Sequence, residues 1–197
     1  MTKSHTLLQR LNNDLININS SLADLRRKED YKAVFGVGDI DNKIIFIGEA
    51  PGKNETILGQ PFCGASGKIL DTLFESIQKT RSDIYITNIV KDRPPKNRDP
   101  KKDEIAIYKK ILMEEISIIK PKVIITLGRI PMSFILENYT DYNLYKKKTI
   151  NDLRATIINC NDFDLVPLLH PANALYNRKK LPSMIDDFQV VKKYFML

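Results

Sequence analysis

Glu49, Phe62, Asn88 and His170 are the side chains of this sequence best suited to handling a planar, hydrogen-bonding ring. Phe62 closes the segment Gly59-Gln60-Pro61-Phe62 and offers a flat face. Stacking of a base on such a face is worth about 1–3 kcal/mol. Asn88, within Thr87-Asn88-Ile89-Val90-Lys91, carries a carbonyl acceptor and an NH2 donor, enough to read the edge of a pyrimidine. His170, followed by Pro171, can donate to an oxygen that gains negative charge. Glu49 stands between the apolar run Ile44-Ile45-Phe46-Ile47-Gly48 and the turn Ala50-Pro51-Gly52, where a carboxylate can act on water. Plainer readings stay open: Phe62 as a core aromatic, His170 as a structural histidine, Glu49 as a turn residue offering only backbone atoms.

These residues need elements to hold them. Four short apolar segments rich in β-branched residues or leucine, 44–47, 84–87, 123–127 and 165–169, read as buried parallel strands. Residues 68–78 place Leu70, Leu73, Phe74 and Ile77 at helical spacing. Asp99-Pro100 reads as an N-cap and first-turn proline opening a helix that buries Ile105, Tyr108, Leu112 and Ile119. Residues 129–137 and 185–195 also read as helical. Leu8, Leu11, Leu15, Ile18, Leu22 and Leu25 line one face of an amphipathic helix within residues 1–30, expected to pack on a core formed by residues 31–197. Strands alternating with helices predict a right-handed βαβ assembly with its site at the carboxyl ends of the strands. Glu49, Asn88 and His170 each fall at such an end.

A length of 197 residues fits one domain. With 43% hydrophobic and 28% charged residues, the composition is that of a soluble globular protein. The formal charge of +7 favours an anionic partner such as nucleic acid, although a lysine-rich composition alone can produce it. Cys63 and Cys160 make neither a disulfide framework nor a metal-ligand spacing. No apolar run approaches the ~20 residues a membrane span needs, and the N-terminus lacks the apolar core of a secretory signal. An intracellular, monomeric protein with no membrane partner is expected.

Taken in order, Gly48-Glu49-Ala50-Pro51-Gly52, Gly59-Gln60-Pro61-Phe62, Thr87-Asn88-Ile89-Val90-Lys91, Arg93-Pro94-Pro95-Lys96-Asn97-Arg98-Asp99-Pro100 and His170-Pro171 resemble the uracil-DNA glycosylase superfamily. Its family 4 is the branch they resemble most, over roughly residues 34–170. The resemblance implies an α/β fold, a three-layer α/β/α sandwich around a mainly parallel four-stranded sheet. It also implies a monofunctional hydrolase that flips uracil out of DNA and cleaves its glycosidic bond with water, without a metal. On that resemblance Phe62 stacks on uracil, Asn88 reads its edge, His170 donates to O2 and Glu49 positions the water. Glu55 crowds the base C5, while Gly48, Ala50, Pro51 and Gly52 shape the pocket; Glu55 as a solvated loop carboxylate is the alternative. Action on another deaminated base, or an inactive member that only binds DNA or protein, are the other functions left open.

Ser66, Gly67 and Lys68 begin a helix whose free N–H groups can meet a phosphate. Lys91 and Arg93 lie just past Asn88, and Arg178 just past His170, as phosphate clamps or as solvated charge. Leu175 is an apolar wedge by type, with core packing as its alternative.

One departure stands out. Family 4 holds a four-iron, four-sulfur cluster on four cysteines, and the resemblance puts those positions at Ser20, Ala23, Asp92 and Tyr108. Cysteine thiolates hold such clusters, so neither a cluster nor any other cofactor is expected. The apolar face of Leu8 through Leu25, with Tyr108 as a bulky filler, is expected to replace the tie by packing. Asp92 is expected to bring negative charge toward DNA phosphate and weaken binding, and Tyr176 replaces an arginine of the family.

Overall fold

A computed structural model describes residues 3–196. Among these, six strands form one sheet: β1 (Val37–Gly38), β2 (Ile44–Gly48), β3 (Tyr85–Asn88), β4 (Val123–Leu127), β5 (Ile158–Asn159) and β6 (Asp164–Leu168). Their order is β1-β3-β2-β4-β6-β5, with β3, β2, β4 and β6 parallel and the two edge strands antiparallel. The four central strands fall within one residue of the apolar segments that predict them. The sheet is wider than the expected four strands because β1 and β5 add two residues each. Two residues are too few to carry a period.

The helices are α1 (Lys3–Ile16), α2 (Ser21–Lys28), α3 (Lys53–Leu58), α4 (Ala65–Ser76), α5 (Lys102–Ile119), α6 (Arg129–Tyr139), α7 (Ile150–Leu153), α8 (Ala172–Tyr176) and α9 (Leu181–Phe188). Side-chain alternation along the strands builds a core on each face of the sheet. Ile45, Ile47 and Ile124 join Leu8, Leu15, Leu112 and Ile135 on one face, from α1, α5 and α6. Ile44, Phe46 and Ile125 join Leu70, Phe74, Met184 and Phe188 on the other, from α4 and α9. Helices thus cover both faces, giving three α/β/α layers. Past α9 the chain tightens into a 3₁₀ helix over Gln189–Phe195, where the sequence predicts a continuing α-helix.

Two helix boundaries differ from expectation. The N-terminal stripe is split, because Ser20 caps α2 by accepting the Ala23 N–H at 3.0 Å. Asparagine and serine favour such caps over helix interiors, and Asn17, Asn19 and Ser20 interrupt the apolar pattern there. Leu8, Leu11, Leu15 and Leu22 are nevertheless buried on the core. At the start of α5 it is Glu104, not Asp99, that caps: its carboxylate accepts the Lys101 N–H at 2.7 Å. A glutamate in the third helical position can reach back in this way. Asp99 turns instead to Arg129, 3.1 Å away.

Ser20, Ala23, Asp92 and Tyr108, far apart in sequence, meet in space. The Ala23 N–H donates to Ser20 Oγ, Ser20 Oγ lies 2.9 Å from Tyr108 Oη, and Tyr108 donates to Asp92 Oδ2 at 2.5 Å. Tyr108 has one hydroxyl hydrogen, so the Ser20 hydroxyl must be the donor to it. Arg26 Nη1 stands 3.3 Å from Asp92 Oδ1, and Arg26 Nη2 donates to the Ile16 carbonyl at 2.7 Å. The polar chain fills the place of the cluster and offers it no thiolate, so these residues do not fit that group. Two expectations are corrected. Tyr108 is buried filler packed in one core with Leu8, Leu11, Leu15 and Leu22 as expected, but the tie is not apolar packing alone, since a hydrogen-bonded chain runs through it. Asp92 is fully buried against Arg26 and projects no charge toward a phosphate.

Tyr108→Phe leaves the buried Asp92 carboxylate and Ser20 each short of a partner. The expected loss is about 1–3 kcal/mol, read from urea denaturation; unchanged stability would show that the chain of hydrogen bonds holds nothing. Iron and acid-labile sulfide assays on purified protein are expected to be blank, and one cluster per chain would refute the reading of these four positions.

Candidate active site

Parallel pairing sets Gly48 beside Asn88, at the carboxyl ends of β2 and β3. Gly48 has to lack a side chain: a Cβ there would lie 2.3 Å from Asn88 Oδ1 and 2.5 Å from Phe62 Cζ. The carboxamide and the ring therefore share the space above one backbone position. Asn88 is buried, and its Oδ1 accepts no hydrogen bond from the described residues. Buried polar atoms are ordinarily paired, so this oxygen suits a donor brought in by a ligand.

Phe62 is buried with φ at +53°. That conformation is rare for a bulky residue and costs of order 1–3 kcal/mol, a cost met where surrounding structure enforces it, often at functional sites. Its ring centroid lies 5.8 Å from that of His170, with the planes inclined by 32°. His170 comes two residues after β6 and packs beside Gly128, whose φ of +108° is a conformation that favours glycine. The Ala172 N–H donates to His170 Nδ1 at 3.1 Å. A neutral imidazole that accepts at Nδ1 carries its proton on Nε2. Burial pushes its pKa down to about 4, so the ring is neutral near pH 7.

Glu49 is half-buried on the same cleft, which has a volume of about 450 Å³. Burial, then the Asp99 carboxylate, raise its pKa to about 7, while Arg129 pulls the other way. Glu55 is no free loop carboxylate, since its Oε1 accepts the Gly64 N–H at 3.3 Å and fixes the loop before α4. Ala50, Pro51 and Gly52 line the cleft beside it, with Ser66 from the first turn of α4. Gly67 is buried behind that turn, and Lys68 is exposed.

Outside the cleft the picture divides. Arg93 is half-buried and donates to Asn97 Oδ1 at 2.7 Å. Arg178 is exposed, and so is Leu175, which leaves Leu175 free of core packing. Tyr176 is 91% exposed and also lines the cleft. Lys91 overturns its assignment: it is 0% exposed and pairs with Glu115 in the interior, so it reaches no phosphate.

Sequence reasoning missed Asp99 and Arg129 as neighbours of Glu49, and Asn97 and Arg98 as cleft walls. Residues 97–99 stood inside a quoted motif, yet Asp99 was read only as a helix cap. Arg129 had no local signal. Among the described residues no cluster of histidine, cysteine and carboxylate side chains could hold a metal ion, and no helix is long and apolar enough to cross a membrane.

Comparison with known proteins gives the chain a family. The chain is 41% identical over 166 residues to a Type-4 uracil-DNA glycosylase of Saccharolobus solfataricus, covering 82% of this chain and 75% of the relative. It is 35% identical to the Type-4 enzyme of Archaeoglobus fulgidus, covering 79% and 78%. With that of Thermotoga maritima the identity is 38%, covering 82% of each. A family model described as the uracil DNA glycosylase superfamily matches residues 35–194, reaching past His170 through the C-terminal segment, and to that superfamily the chain belongs.

Proposed function

We infer that this protein removes uracil from DNA by hydrolysing its N-glycosidic bond, leaving an abasic site. The observation that carries the reading is the convergence of the Phe62 ring, the Asn88 carboxamide and the His170 imidazole on one cleft. The uracil-DNA glycosylases to which the chain is similar support it.

An enzyme acting on a base inside a duplex must first extrude it, at a cost of a few kcal/mol. Phe62 returns about 1–3 kcal/mol of that by stacking. Asn88 accepts from uracil N3–H and donates to O4; cytosine presents the reverse pattern and would leave buried groups unpaired. As the bond to the sugar breaks, its electron pair passes to uracil N1 and spreads to O2. His170 Nε2–H donates to O2, as a neutral donor that keeps its proton. Glu49 takes the proton of the water whose oxygen joins C1′. Ser66 on the cleft wall and Lys68, Arg93 and Arg178 outside its lining serve as phosphate contacts, and Leu175 and Tyr176 are exposed as the candidate wedge for the vacated stack.

Asn88→Ala and His170→Ala are each expected to slow single-turnover uracil release about 10²–10³-fold, as loss of one preorganised donor does, with folding intact. Oligonucleotides containing one uracil, single-stranded and duplex, provide the assay. Wild-type rates in both variants would remove the site, and no release by the folded wild type would remove the function.

The pH profile separates two roles. Glu49 works ionised, so kcat/KM falls as pH drops through its pKa of about 7. His170 works neutral, and its pKa of about 4 keeps it so across that range. The slope between about pH 5.5 and 8 therefore belongs to Glu49, and Glu49→Gln is expected to lower activity and flatten it. A wild-type profile already flat there would exclude Glu49 as the base.

A further inference from the structure

Lys91 is among the largest side chains wholly removed from solvent, and the reaction just described does not use it. Its ammonium has three hydrogens and three acceptors: Thr87 Oγ1 at 2.5 Å, the Asn88 main-chain carbonyl at 2.9 Å and Glu115 Oε2 at 2.5 Å. Glu115, on α5, also accepts from Tyr85 Oη at 3.1 Å and from the Thr87 hydroxyl at 3.3 Å. Thr87 thus accepts from the ammonium and donates to the carboxylate. Tyr85, Thr87 and Asn88 all belong to β3.

The surrounding chain fixes the same stretch from the other side. The Ile89 N–H donates to the Gly48 carbonyl at 2.9 Å, the Val90 N–H to the Glu49 carbonyl at 3.2 Å, and the Val34 N–H to the Lys91 carbonyl at 2.9 Å. Burying two charges is costly, and apolar side chains of similar volume commonly serve stability as well. Stability alone is therefore a poor reason for an ion pair here. An apolar pair would leave the carbonyl and hydroxyl at the end of β3 unheld.

We propose that Lys91 and Glu115 are positioning residues of the reaction, a buried strut that fixes the Asn88 peptide and so aims its carboxamide across Gly48 into the cleft. This rests on the reading of Asn88 as the group that recognises the base. A small displacement suffices to matter: about 1 Å can cost 10²-fold in rate.

The test is a double-mutant cycle on single-turnover uracil release. Lys91→Met combined with Glu115→Gln removes both charges and keeps an acceptor for Tyr85. It is expected to slow release about 10²-fold while KM stays within about twofold. In an Asn88→Ala background the same pair is expected to cost nothing further, because the strut acts only through that side chain. A folded pair variant at the wild-type rate, a loss confined to KM, or a loss repeated in full in the Asn88→Ala background would each overturn the proposal. Should the pair variant not fold, Thr87→Val decides on the same criteria, with a smaller expected loss of about five- to tenfold. The Asn88 side-chain amide followed by 15N NMR needs no catalysis. One sharp pair of resonances in the wild type, shifted or broadened in Thr87→Val, is expected, and an unmoved pair would overturn the strut. An inactive wild type with that NMR change would defeat the functional reading and leave the strut standing.

Discussion

The space above Gly48 is the constraint on which the site depends. Parallel pairing in register brings the ends of β2 and β3 side by side, and only a residue without a side chain leaves room there for both the Asn88 amide and the Phe62 ring. Every other feature of the cleft is arranged around that sharing. Phe62 holds an unfavourable backbone angle to reach it, and His170 packs beside Gly128, which itself has a positive φ. A methyl group at Gly48 would displace two functional side chains at once.

The same neighbourhood sorts its ionisable groups by surroundings. Burial first, and then the nearby Asp99 carboxylate, raise the affinity of Glu49 for a proton, while Arg129 moderates the effect. His170 is half-buried and held away from water with no charge to offset that, so it loses its proton easily. A base near neutrality and an uncharged donor are the two states that cleaving a glycosidic bond with water asks for.

Much of this was legible in the chain itself. The central strands are short apolar runs ending in turn residues, and Glu49, Asn88 and His170 were candidates because they follow or close those runs, whereas Phe62 came from the loop before α4. What escaped has physical causes. Sequence adjacency does not tell which way a side chain turns, so Lys91 read as a surface cation although it faces inward to Glu115, twenty-four positions on. Asp99 read as a cap because Asp-Pro is a cap pattern, but Glu104 competed for the same N–H and won. The edge strands left no trace because two residues have no periodicity. The break between α1 and α2 was foreshadowed by Asn17, Asn19 and Ser20, but the leucine stripe runs through it.

The positions Ser20, Ala23, Asp92 and Tyr108 came together as the resemblance required, with different chemistry in their midst. A knot made of hydroxyls, a carboxylate and a guanidinium needs nothing delivered by the cell. This part of the protein completes itself as the polypeptide collapses, indifferent to the supply of inorganic building blocks and offering oxidants no vulnerable centre to dismantle.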